Sequence, residues 1–190
     1  MQEPKASPKK IPIKINPYLL TIAILILVVI LSLGGRRSCD ATFEAYMDAY
    51  ANRDAEGIVA LMPKEYIEAL RDDGRIENEE DLVYAIQRLL DHALHRYDDM
   101  ELETYQYEVV HTQHAQKGDS NELMESFERI YGDSARKIKE VYAFGVDAVV
   151  EMEWVDGGTR EDYLPRKYVY LVKIGQSWYI GAMDDLEYYT

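Results

Sequence analysis

Apolar positions repeat with a helical period through the first half of the soluble sequence and with a period of two through most of the second. Phe43, Tyr46, Met47, Tyr50 and Ala51 fall at i, i+3, i+4, i+7 and i+8 behind Asp40, a good helix N-cap. Asn52-Arg53-Asp54 interrupts that stripe, and Asp54 can cap a short helix carrying Ile58, Leu61 and Met62. Pro63 closes it and opens a third, which presents Tyr66, Ile67 and Leu70 until Asp73-Gly74 stops it. The acids Glu79, Glu80 and Asp81 then sit on the positive end of the longest of these helices, whose stripe runs Leu82, Ile86, Leu89, Leu90, Ala93 and Tyr97.

From Glu101 the period changes. Tyr105, Tyr107, Val109 and His111 share one face of a strand, with Glu108 and Thr112 on the other. Asp119-Ser120 restarts helix, with Leu123, Met124, Phe127, Ile130 and Tyr131 on one side and Gly132 as its stop. Residues 138–155 alternate without a miss through Tyr142, Phe144, Val146, Ala148, Val150, Met152 and Trp154, with Gly145 marking a bend or bulge. Asp156-Gly157-Gly158 turns the chain into a strand holding Tyr168, Tyr170, Val172 and Ile174. Gly175-Gln176-Ser177 turns it again into Trp178–Met183. Helices followed by an antiparallel meander with one helical insertion predict an α+β fold.

One stretch belongs to neither pattern. Tyr18 to Leu33 is an uncharged apolar run behind Lys5, Lys9, Lys10 and Lys14 and ahead of Gly34, Gly35, Arg36 and Arg37. A helix apolar all round has no face for water. Lys14 and Arg36 stand about 33 Å apart as helix, enough for their side chains to reach both headgroup layers. The run predicts a single transmembrane anchor over 17–35, a Pro- and Lys-rich cytoplasmic tail over 1–16, and an extracytoplasmic domain over 40–190. A cleaved signal with Ser32 and Gly34 near its cleavage site is the competing reading. Lipidation of Cys39 is disfavoured by Arg36-Arg37-Ser38 directly before it.

Charge sharpens the division. Residues 1–39 hold six of the 21 basic residues and one of the 35 acids, so 40–190 carry 15 against 34, a formal −19. Such a domain repels phosphate backbones, which argues against nucleic-acid binding. No Gly has the register of a calcium loop, and a lone Cys39 frames no internal disulfide but can pair with a second chain. No metal or cofactor is implied. His92 and His95, and His111 and His114, sit three apart, which supplies at most half a zinc site on a helix and opposite faces on a strand. Sixteen Tyr against three Phe suits half-buried sheet faces and pocket walls. The candidate pocket residues are therefore Tyr46, Tyr50, Tyr105, Tyr107 and Tyr168. Asp147 joins them, as a raised-pKa general base if its face lines a cavity and as a solvated acid if it does not. Glu151 and Glu153 on that face favour the outside.

The opening Phe43-Glu44-Ala45-Tyr46-Met47-Asp48-Ala49-Tyr50, with Asp54 and Ile58-Val59-Ala60-Leu61-Met62, resembles the first helices of NTF2-like (cystatin-like) domains. The ending Tyr170 to Ile180, with Lys173, Gly175, Trp178 and Tyr179, resembles the last hairpin of that superfamily. The similarity covers residues 40–186 and is nearest to bacterial membrane-anchored members. It implies a curled sheet wrapped on helices into a cone, and its enzymes place Tyr, Asp or His inside. None of their catalytic motifs aligns here, so no catalytic residue is implied. Two functions follow as expectations: a binding or interaction module, with a homodimer or a small-molecule, glycan or peptide ligand, or a lyase or isomerase acting in the cone. An interior plugged by Tyr142, Phe144 and Trp154 argues for the first. An open cavity with a buried carboxylate near a Tyr argues for the second.

Overall fold

The computed structural model describes residues 37–94, 101–153 and 158–183. All of them belong to one compact unit, Arg36–Thr190, with its own hydrophobic core. The fold is α+β: helices α1 (Cys39–Ala51), α2 (Ala55–Val59), α3 (Lys64–Asp72) and α4 (Glu79–Leu94) precede strand β1 (Glu101–Gln116). Helix α5 (Glu122–Tyr131) and a 3₁₀ turn (Gly132–Lys137) follow, and then β2 (Ile138–Glu153), β3 (Thr159–Ile174) and β4 (Ser177–Met183). The four strands form one antiparallel sheet in the order β1-β2-β3-β4. The expected anchor over 17–35, Tyr97, His95, Trp154 and the Asp156-Gly157 turn lie outside the described residues. Among the described residues no helix is long and apolar enough to cross a membrane.

Local chemistry explains most element ends. Ser38, rather than the expected Asp40, caps α1, its Oγ accepting from the Ala41 N–H at 3.1 Å. Asp40 falls in the first turn, where its charge still meets the positive end of the helix. Asp54 caps α2 through the Gly57 N–H, as its position predicts. At the start of α4, Asn78 accepts from the Asp81 N–H while the Asp81 carboxylate accepts from the N–H groups of Glu77 and Asn78. This is a reciprocal cap. Asn121, rather than Asp119-Ser120, caps α5, because the Asp119 carboxylate is used instead to close the turn on the Gln116 N–H.

The folded unit also starts earlier than residue 40. The Trp178 N–H donates to the Arg37 carbonyl and the Ile180 N–H to the Leu61 carbonyl, so chain from before α1 and after α2 covers the free edge of β4. Buried Thr42 donates to Ser38 O or to Trp178 O from the same side. An edge strand without such cover is a template for foreign strands.

Strand β3 begins at Thr159, nine residues before the expected Tyr168. Its first half pairs with β2 alone, and a register shift between Val146 and Ala148 sets Pro165 and Arg166 in a bulge. Pro, lacking an N–H, is tolerated at such a place. A second bulge, at Val109/His111 in β1, turns His111 to the face opposite Tyr105, Tyr107 and Val109. The expected shared face of those four residues is thereby corrected. His111 and His114 do fall on opposite faces, opposite Gly145 and Tyr142.

Both faces of the sheet are covered at one end and only one at the other. Tyr142, Phe144, Val146, Ala148 and Val150 turn toward α1: Phe144 packs on Phe43 at 4.7 Å between ring centroids, and Tyr142 meets Trp178 at 5.4 Å. Val141 and Ala143, on the other face, are also buried. Helix α5, inserted between β1 and β2, folds back over this end, with Phe127 against Tyr170 and Phe127 and Val172 against Gly181. Helix α3 joins α5 there through stacked Tyr66 and Tyr131, and joins the 3₁₀ turn through a Lys137–Glu65 ion pair at 3.0 Å.

Candidate functional site

The structure divides the sequence-derived pocket residues into separate places. Tyr46, Tyr50 and Tyr105 come together between α1 and the sheet. Tyr50 lies 6.1 Å from each of the other two rings, and the Lys167 ammonium sits 4.8 Å from its ring centroid. With Met47, Val146 and Ala148 they enclose about 20 Å³, room for one water-sized molecule. Among the described residues no carboxylate lines this space. Burial, and then the neighbouring Tyr50 and Tyr107, push the Tyr105 hydroxyl far above its ordinary value, so it stays protonated. Tyr107 stands apart, its ring edge-on to Phe43 at 5.8 Å and 39% exposed.

Asp147 and Tyr168 lie on the outward face of the sheet. Asp147 accepts from Arg166 Nε at 2.6 Å and Nη2 at 2.8 Å, a bidentate clip across the β3 bulge. That guanidinium holds its carboxyl below the ordinary range. The reading of Asp147 as a raised-pKa base is therefore corrected: the strand face it occupies is open to solvent, and its partner stabilises the ionised form. Tyr168 packs over Gly145, where an added Cβ would stand 3.3 Å from the Tyr168 ring and 3.1 Å from His111 Cβ. Tyr163, 72% exposed, pairs with Val149 on the same face.

Two groupings were invisible in the sequence because they join elements far apart in the chain. In the first, Glu140 accepts from Lys173 and lies 3.3 Å from His114. Lys173 in turn lies 5.5 Å from the Trp178 ring centroid, and His114 stacks on Tyr142 at 4.2 Å. The Lys173 hydrogen bond, opposed by partial burial, lowers the Glu140 pKa. A lowered folded pKa stabilises the fold above the unfolded value and is lost as pH falls through the folded one. Glu140→Gln is therefore expected to be less stable than the parent near neutrality. The two should converge as the pH drops below the ordinary 4.5, read from urea unfolding across a pH series. Among the described residues no three His, Cys, Asp or Glu side chains converge as a metal site.

Cys39, at the start of α1, is half-buried, and desolvation, followed by Asp40 and Glu140, pushes its thiol up to about 11. The thiolate is the reactive form. Cys39 is accordingly expected to react with a disulfide reagent at pH 7 at least tenfold more slowly than after denaturation, by absorbance-monitored labelling. A protonated, half-buried thiol is poorly suited to pairing with a second chain.

The second grouping is a groove between α3 and α5, floored by Tyr170, Ala182 and Met183, with a volume of about 520 Å³. Arg75, Arg129 and Asp73 stand in its lining beside Leu70, Phe127 and Ile130. Sequence periodicity assigns Leu70 and Phe127 to core stripes, and nothing in it shows that the two helices part enough to leave a concavity. Compared with known families, curated proteins and solved structures, the chain matches none.

Proposed function

We propose that this chain is a membrane-tethered, extracytoplasmic interaction module built on an NTF2-like fold, working through its outer sheet face. The single observation that carries this is the closed interior. The space between α1 and the sheet holds about 20 Å³, whereas small-molecule sites run to roughly 300–1,000 Å³. A lyase or isomerase acting in the cone would need a cavity there large enough for its substrate. The order of elements, with helices leading and a four-stranded antiparallel meander closing on Trp178 and Tyr179, is compatible with the resemblance. The apolar run from Tyr18 supports the tether, and the lysine-rich flank supports an inside N-terminus.

The outer face suits a second copy of the chain. Tyr163 and Tyr168 project from it on either side of the Asp147–Arg166 pair, so it carries aromatic area and both signs of charge in a strongly acidic domain. A patch of mixed sign is complementary to itself across a two-fold axis. Sedimentation of Arg36–Thr190 tests this: a concentration-dependent dimer is expected, and Tyr163→Lys with Tyr168→Lys should make it monomeric. A parent that stays monomeric at every concentration, or a double variant that still dimerises, would sink the dimer. Membrane fractionation of the full chain, with protease added from outside, tests the tether.

A further inference from the structure

We propose that the groove between α3 and α5 is a binding site for a single-headed amphiphile: an unbranched hydrocarbon chain ending in one carboxylate. The inference does not depend on the dimer or the tether. Its first support is shape. About 520 Å³ of concavity falls within the range of small-molecule sites, and it is roomy where the interior is closed. Its second is the apolar wall. Leu70, Leu123, Phe127 and Met183 are buried side chains that line the groove, and Ile130 is 38% exposed beside them. Their exposed edges and the Ile130 side chain make up the apolar part of the wall, against which a chain of methylenes can lie.

The third support is charge. Arg129 projects from α5 into the groove lining, and its hydrogen bonds go to neutral acceptors, the Glu125 carbonyl at 3.5 Å and the Ser126 hydroxyl at 3.1 Å. Among the described residues it has no carboxylate partner, in a domain where acids outnumber bases by more than two to one. Arg75 stands in the same lining. A guanidinium offers a planar fork that matches a carboxylate. Asp73 also lies in the lining, and the domain is acidic overall, which disfavours a doubly charged head such as a phosphate monoester. One carboxylate with an apolar tail fits both the attraction and the limit.

The probe is decanoate, below its micelle concentration, titrated calorimetrically into Arg36–Thr190, the compact unit that carries its own core. Binding is expected to strengthen about tenfold from octanoate to decanoate as two methylenes are buried. Decanol is expected to bind at least tenfold more weakly than decanoate. Arg129→Gln keeps much of the side chain on an exposed helix face, and it should lower decanoate affinity about tenfold while leaving decanol unchanged. Ile130→Glu should abolish binding of both, and the Tyr163→Lys, Tyr168→Lys variant should bind decanoate as the parent does. Three results would overturn the proposal: decanol binding as tightly as decanoate, Arg129→Gln leaving decanoate affinity unchanged, or decanoate binding only after residues 184–190 are deleted. The last would assign the groove to the chain's own C-terminus.

Discussion

Tyr50→Ala is expected to destabilise the folded unit by about 3–5 kcal/mol, as removal of a fully buried aromatic side chain does. Tyr50 is 2% exposed and touches Tyr46, Tyr105 and the Lys167 ammonium at once, joining α1 to both β1 and β3. Removing the ring leaves a cavity that Val146 and Ala148, held in the sheet, cannot collapse to fill. Tyr50→Phe keeps the ring and its packing and should cost less than half as much. Urea unfolding of Arg36–Thr190 and both variants reads the difference. If Tyr50→Ala costs under about 1 kcal/mol, the ring is a pocket wall with slack around it, and the account of a closed interior fails.

Gly181→Ala carries the second-largest effect, about 1–3 kcal/mol, by the opposite mechanism of overpacking. A Cβ at Gly181 would stand 2.6 Å from Val172 Cγ1 and 2.8 Å from Phe127 Cε1. Val172 is fully buried and β-branched, and Phe127 is 2% exposed, so neither yields easily. Gly181 lies at the register shift between β3 and β4, and its carbonyl accepts from the Tyr131 hydroxyl at 2.8 Å. Displacing this backbone therefore strains α5 as well as the sheet. Thermal unfolding should show a lower midpoint for Gly181→Ala. Val172→Ala in the same chain should recover part of the loss by removing the clashing methyl. No recovery would mean that Val172 is not the side chain that resists the added Cβ.

These two positions were unequally legible in the sequence. Tyr50 is recognisable as an inward residue because a helix repeats its stripe every 3.6 residues and needs no knowledge of its partner. Gly181 carries no such signal: it reads as one glycine in a terminal strand, and its role exists only because α5 lies across β4. The same contrast separates the candidate sites. Tyr46, Tyr50 and Tyr105, three of the six candidate pocket residues, meet between α1 and the sheet. Whether inward meant a pocket or a plug depended on how closely α1 approaches the sheet. Asp147 was legible as either buried base or solvated acid, and Arg166, nineteen residues on, decided it across a bulge that no pattern announces.

By itself the sequence determined the α+β order of elements, the antiparallel meander, the Asp54 cap and the acidic split between tail and domain. Each of these rests on short-range physics: backbone hydrogen-bond periods, orphan N–H groups at helix ends and summed charge. Only the tertiary structure decided that the interior is closed, that β2 is covered on both faces at one end, and that Glu140, His114 and Lys173 meet. It also decided that α3 and α5 leave a groove with Arg129 in its lining. Those are distances between elements far apart in the chain, set by strand bulges and by the packing of particular side chains. A one-dimensional period carries the face a residue occupies, but not the gap to whatever that face meets.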